Sequence, residues 1–332
     1  MPRWMMSLHD VQLAVGVVIV NIEMLALTSA RGKLGSAVLR AILENNLIDS
    51  SELVVCTSSD PKHPRFDALR EKSITVRYNN FDDPASLEQA FTGCDRLFLV
   101  SSPRISMDFN DAPLWKGREA HHRAAIDAAR KVGVKHIYYT SLGFANPSKA
   151  AVMRAHIRTE AYLRELKDLN WTIIREGLYN ESWPLYFGYY YGLKEETRKE
   201  VIVAGDGPIS WTAIADMAFG TAKVLSSPPS EWAGKTFYLS QNKTWTLHDI
   251  AQIVSRVRGD EVQLEIVTQD EYERYYAEEK GRERAEVEWW STTYNAVLQG
   301  ECNIVDTTLE NMLREAGRRP KPLEETIKDM LQ

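Results

Sequence analysis

The stretch Met24-Leu-Ala-Leu-Thr-Ser-Ala-Arg-Gly-Lys-Leu-Gly35 constrains the fold more than any other part of this chain. It reads as a short buried strand passing through a tight turn into a helix that continues Ser36-Ala-Val-Leu-Arg-Ala-Ile-Leu-Glu44. A strand, a glycine turn and a helix in that order aim backbone N–H groups and a helix N-terminus at one point, which suits a dinucleotide pyrophosphate. Gly32 and Gly35 carry no Cβ, so the backbone can approach phosphates and the helix can pack on the sheet. Ser29 stands where such turns have their first glycine, and an ordinary glycine-containing βα turn would read the same way in isolation.

The rest of the first half repeats the pattern. Apolar runs recur at Glu52–Thr57, Ile74–Tyr78, Arg96–Ser101 and Lys135–Thr140, and Arg118–Lys131 carries alanines at helical spacing before Gly133. Near-continuous apolar strands alternating with helices predict a doubly wound α/β fold, its parallel sheet covered on both faces. With 332 residues, 44% of them hydrophobic, the chain can bury a large core and divide into two lobes. The expected division is an extension at 1–23, a Rossmann-type domain at 24–180 and a smaller, partly interleaved α/β substrate lobe at 181–332, with 201–225 returning to the first sheet.

Residues 11–20 are mostly apolar but too few to cross a bilayer, so 1–23 reads as an upstream extension, with an edge strand as the alternative. A net charge of −6 without a basic block argues against nucleic-acid binding. Cys56, Cys94 and Cys302 have neither metal spacing nor an even disulfide count, which points to a reducing compartment, the cytoplasm, and to no metal site.

Several further segments, read together with the glycine turn, carry a family likeness. Asn80-Phe-Asp-Asp-Pro, Asp95-Arg-Leu-Phe-Leu-Val-Ser-Ser-Pro103, His122-Arg-Ala-Ala-Ile-Asp-Ala-Ala-Arg-Lys-Val-Gly133 and Trp171-Thr-Ile-Ile-Arg-Glu-Gly-Leu-Tyr-Asn-Glu181 resemble the NmrA-like branch of the atypical short-chain dehydrogenases and reductases. Within it the chain is most similar to quinone-oxidoreductase-like and fungal members. The resemblance implies that Thr28, Ser29, Arg31, Gly32, Lys33, Leu34 and Gly35 form the cofactor turn. It also implies that Asn80 meets adenine, that Ser101, Ser102 and Pro103 border the centre of the cofactor, that Thr140 and Ser141 reach the nicotinamide ribose, and that Gly177, Leu178 and Tyr179 lie at the nicotinamide end.

Charge bears on which cofactor is held. A 2′-phosphate needs cations or hydroxyl donors, whereas a free ribose hydroxyl is usually gripped by an acid. Arg31, with Thr57, Ser58, Ser59 and Lys62, favours NADP(H) over NAD(H); Asp60 would argue the other way if its carboxylate turned inward.

The usual Tyr-x-x-x-Lys dyad is missing: Val152 occupies the tyrosine place and His156 the lysine place. Val152 cannot transfer a proton, so His156 and Tyr179 are the catalytic candidates, with His156 also a cofactor contact. Trp183, Tyr186 and Trp211 suggest an aromatic-walled pocket for a flat conjugated substrate. The expected activity is NADP(H)-dependent reduction of a hydrophobic carbonyl, enone or quinone by a monomer or homodimer, in secondary metabolism. The alternative is a cofactor sensor that binds a protein partner without turnover.

Overall fold

The computed structural model describes residues 23–189, 193 and 196–332. The apolar segment 11–20 lies outside the described residues. The strands are β1 (Leu25–Leu27), β2 (Leu53–Thr57), β3 (Thr75–Tyr78), β4 (Arg96–Leu99), β5 (His136–Leu142) and β6 (Asn170–Glu176), followed by β7 (Leu178–Tyr179), β8 (Glu200–Val203), β9 (Trp211–Thr212), β10 (Thr236–Leu239) and β11 (Gln263–Ile266). Seven form one sheet in the order β10-β6-β5-β4-β1-β2-β3, and every pairing in it is parallel. The order reverses between β1 and β4, and a doubly wound sheet opens its ligand crevice at such a point.

Alternate residues of each strand serve opposite faces. Leu25 and Leu27 pack with Val38 and Ile42 of helix Lys33–Glu44 and with Met217 of helix Ile214–Ser226. Ala26 faces Leu87 and Phe91 of helix Pro84–Phe91 and Ile126 of helix Glu119–Lys131. The strands are written as apolar runs because both faces are covered.

Neither strand within residues 201–225 belongs to the main sheet. Strand β8 pairs with β11, and β9 with β7, in two separate two-stranded sheets. What returns is helix Ile214–Ser226, which packs against Lys33–Glu44, and then β10, which extends the sheet beside β6. The C-terminal half thus completes the first layer and also builds its own core around Trp183, Tyr186, Trp211 and Tyr294. Among the described residues no helix is long and apolar enough to cross a membrane.

Candidate functional site

A cleft of about 790 Å³ opens at the switch point. The glycine turn, the ends of β2 and β4, the loop after β3 and Tyr179 line it. Ser29 takes the left-handed conformation (φ 53°) that the absent first glycine would favour. Its carbonyl accepts the Gly32 N–H at 2.8 Å and closes the turn. A Cβ on Gly35 would sit 2.2 Å from the Ser29 carbonyl oxygen, so only glycine fits there; on Gly32 it would be 3.3 Å away. Gly32 is the N-cap of helix Lys33–Glu44 and caps it with no side chain, and the first turn carries no acid. The exposed N–H groups and the positive end of the helix are therefore free to meet phosphate.

Arg31 projects toward the end of β2, with Nη1 3.4 Å from the Ser59 hydroxyl. Asp60 lies outside the lining residues, and its Oδ1 accepts the Lys62 N–H at 2.9 Å. The edge of the cleft nearest β2 thus offers a guanidinium and the hydroxyls of Ser58 and Ser59, without a carboxylate.

Opposite, Ser102 anchors a buried histidine cluster. Its backbone N–H donates to His122 Nε2 (2.9 Å), which leaves the ring proton on Nδ1 to donate to the Thr159 hydroxyl (2.8 Å), while Thr159 donates to the Ala155 carbonyl. The Tyr139 hydroxyl lies 3.0 Å from His156 Nδ1. Ser102 Oγ lies 3.0 Å from His121 Nδ1, and His121 Nε2 lies 3.0 Å from Asp82 Oδ1. That chain has the order of a nucleophile relay, but Ser102 is 1% exposed and its N–H, the usual oxyanion donor, is spent on His122. Arg104 forms two hydrogen bonds to the Asp82 carboxylate, which hold Asp82 below the usual carboxylate range at about 2. Buried Arg118 ties the cleft wall together: its Nε bonds Asp108 (2.7 Å), Nη1 the Ser102 carbonyl and Nη2 the Val152 carbonyl.

Of the residues read from the sequence, Ser29, Arg31, Gly32, Lys33, Leu34, Gly35, Ser58, Ser59, Asn80, Ser101, Ser102, Pro103 and Tyr179 line the cleft together. Thr28, Thr140, Ser141, His156, Gly177 and Leu178 do not, and each has another task. Thr28 Oγ1 accepts the Val100 N–H (2.9 Å), and Thr140 Oγ1 the Ser101 N–H (3.0 Å), so both brace the wall from behind. Ser141 donates to buried Glu160 at 2.7 Å. Gly177, between β6 and β7, lets the backbone press against Thr212 and Ser240, whose side chains a Cβ would meet at 2.7 and 2.9 Å. Leu178 belongs to the second core. Trp183, Tyr186 and Trp211 are also core rather than pocket wall: Tyr186 packs edge-on against Trp211, Trp290 and Tyr294 at 5.1–5.8 Å between ring centres. Aromatic residues from distant segments pack on one another there. The sequence reading missed Phe81, Val100, Arg104, Arg118 and His121; Arg104 directly follows Ser-Ser-Pro, but nothing local marks a cleft histidine on helix Glu119–Lys131.

Burial and the neighbouring Arg118 charge press His156 down to about 3, and burial with Arg96 nearby presses His136 to about 4. Burial and then the proximity of His156 hold His122 well below its ordinary value. These rings are neutral when folded and take up protons when unfolded, so stability falls as pH drops below about 6.5, by about 1.4 kcal/mol per unit for each ring. Glu176 behaves oppositely. Burial raises it to about 8, so its contribution is present below its unfolded value and is lost as pH rises through 8. Urea unfolding from pH 5 to 9 is expected to show greatest stability close to neutrality, and Glu176→Gln to flatten the alkaline limb.

Residues 29–219 match a family model described as NAD(P)H-binding. The chain is 28% identical over 310 residues to the NmrA-like family domain-containing oxidoreductase flvB of Aspergillus flavus, covering 92% of this chain and 94% of that protein. It is 30% identical over 255 residues to quinone oxidoreductase 2 of Escherichia coli, covering 75% and 79%. The crystal structure of the NADPH-dependent quinone oxidoreductase QOR2 of Escherichia coli complexed with NADPH superposes with a TM-score of 0.75 at 25% identity, covering 93% of this chain and all of that one.

Proposed function

Because the chain is an oxidoreductase of the NAD(P)H-binding, NmrA-like branch of atypical short-chain dehydrogenases and reductases, we propose that it uses NADP(H) to reduce a hydrophobic quinone, enone or carbonyl compound, as an enzyme of secondary metabolism. The observation that carries the cofactor preference is Arg31 reaching toward Ser59 while Asp60 turns to Lys62. A guanidinium with two hydroxyls suits a phosphate dianion, and no acid competes for that edge. Arg31→Ala is expected to weaken NADPH binding by about 1.5–3 kcal/mol and to leave NADH almost unchanged. Equal losses for both nucleotides, measured by calorimetry, would remove Arg31 from phosphate recognition.

When bound, a nicotinamide would supply the hydride; the chain's own task is to hold the acceptor and keep the reacting face ordered. Tyr179 is the polar side chain best placed for it in this reading. It is half-buried and lines the cleft, and burial, with the Glu176 and Glu181 carboxylates, raises its hydroxyl well above the ordinary range. The hydroxyl therefore keeps its proton at neutral pH and acts as a hydrogen-bond donor to the acceptor oxygen, the final proton coming from water. His156 is assigned to support: a neutral ring sealed against Tyr139 holds the wall carrying His122 and Ser102. Tyr179→Phe is expected to lower kcat/KM by about ten- to a hundredfold at unchanged NADPH affinity.

The decisive experiment is NADPH oxidation by the purified chain across quinones, enones and aromatic ketones. Turnover supports the reading. Tight NADPH binding with no turnover of any of them would favour a cofactor sensor with a protein partner, the reading to which Val152 and the sealed His156 lend weight.

A further inference from the structure

Beside the cofactor cleft lies a second hollow of about 680 Å³, between helix Lys33–Glu44 and the segment that precedes β3. The two spaces share only Ala30 and Arg31. Leu43, Leu69 and Phe66 give the hollow an apolar floor. Arg31, Arg40, Arg65 and Lys72 stand around it, all exposed, and none makes an ion pair among the described residues. The one acid in the lining is Glu44. The neighbouring Arg70, by contrast, is neutralised by Asp67.

With Arg31 turned toward the cofactor cleft, Arg40, Arg65 and Lys72 against the single acid Glu44 still leave this hollow a positive lining in a chain of net charge −6. Like charges repel, so cations gathered with only Glu44 to offset them are relieved when an anion settles among them. The apolar floor asks for more than an inorganic anion, and the volume falls within the range of small-molecule sites. A nucleic acid fits poorly, because an exposed stacking ring is lacking from the floor, where Phe66 is buried.

We propose that this hollow binds a small amphiphilic anion, an acidic head group on an aliphatic body, at a site separate from the cofactor cleft. The head sits among Arg40, Arg65 and Lys72, and the body lies along Leu43 and Leu69.

The test is calorimetric titration of the full chain with decanoate and, as the uncharged match, decanol, with and without saturating NADPH. Decanoate is expected to bind about tenfold more tightly than decanol. The exposed double substitution Arg40→Glu, Lys72→Glu is expected to weaken decanoate by about tenfold or more while leaving the NADPH Kd within about twofold. Binding should persist when NADPH fills the cleft. Equal affinity for decanoate and decanol, indifference to the double substitution, loss of decanoate binding under NADPH, or no binding at all would each overturn the proposal. An acidic amphipathic peptide that bound where decanoate did not would also overturn it, in favour of a protein partner.

Discussion

A Gly35→Ala chain should lose measurable NADPH binding, with its affinity falling by about a hundredfold or more, and should unfold at a lower urea concentration. The added methyl would lie 2.2 Å from the Ser29 carbonyl oxygen and 2.8 Å from the Ser29 carbonyl carbon. Both are backbone atoms, so no side chain can rotate out of the way. Overpacking of this kind costs about 1–3 kcal/mol, and what must move to relieve it is the phosphate-facing turn itself. Ser29 already holds a left-handed conformation that disfavours a side chain, leaving the turn little room to adapt. Gly32→Ala is the control, since its methyl would make one 3.3 Å contact at a φ of −73°. If the two variants bind NADPH alike, the close approach of helix and turn is not what shapes the site.

Glu160→Ala should be strongly destabilising, at about 3–5 kcal/mol. The carboxylate is fully buried and receives Arg175 through Nε at 3.0 Å and Nη2 at 2.8 Å, Arg164 at 3.0 Å and the Ser141 hydroxyl at 2.7 Å. Removing it strands the Arg175 guanidinium, whose side chain is 10% exposed and is otherwise held by the Tyr238 hydroxyl. The desolvation of that charge would then go uncompensated, which is why losing one partner costs more than the pair contributes. Denaturant unfolding measures this directly, and a loss below about 1 kcal/mol would mean that water or another acceptor replaces the carboxylate. Ser141→Ala separates the two roles considered for that hydroxyl. A lower midpoint with an unchanged NADPH Kd fits its bond to Glu160; a weakened Kd would return Ser141 to the cofactor.

The pattern of Glu52–Thr57, Arg96–Ser101 and Lys135–Thr140 was enough to place β2, β4 and β5 in a parallel sheet, because a strand buried on both faces must be apolar almost throughout. The glycine turn was legible for a similar reason: Gly32 and Gly35 are demanded by contacts within a dozen residues. The hydroxyls and histidines were harder. Thr140 and Ser141 both follow strand residues and both look available to a ribose, yet one braces the Ser101 N–H and the other bonds a carboxylate nineteen residues away. His156 sits at the position of a catalytic lysine, but Tyr139, from a strand, and Arg118, from the N-cap of another helix, decide that its ring is sealed and neutral. Trp183, Tyr186 and Trp211 carry the same composition whether they line a pocket or fill a core, and only the placing of Trp290 and Tyr294 against Tyr186 made them core. Periodicity and glycine spacing are local properties and are written in the chain. Which polar atom faces the cleft, and which is consumed by a partner behind it, depends on contacts between distant segments, and the tertiary structure alone supplied those.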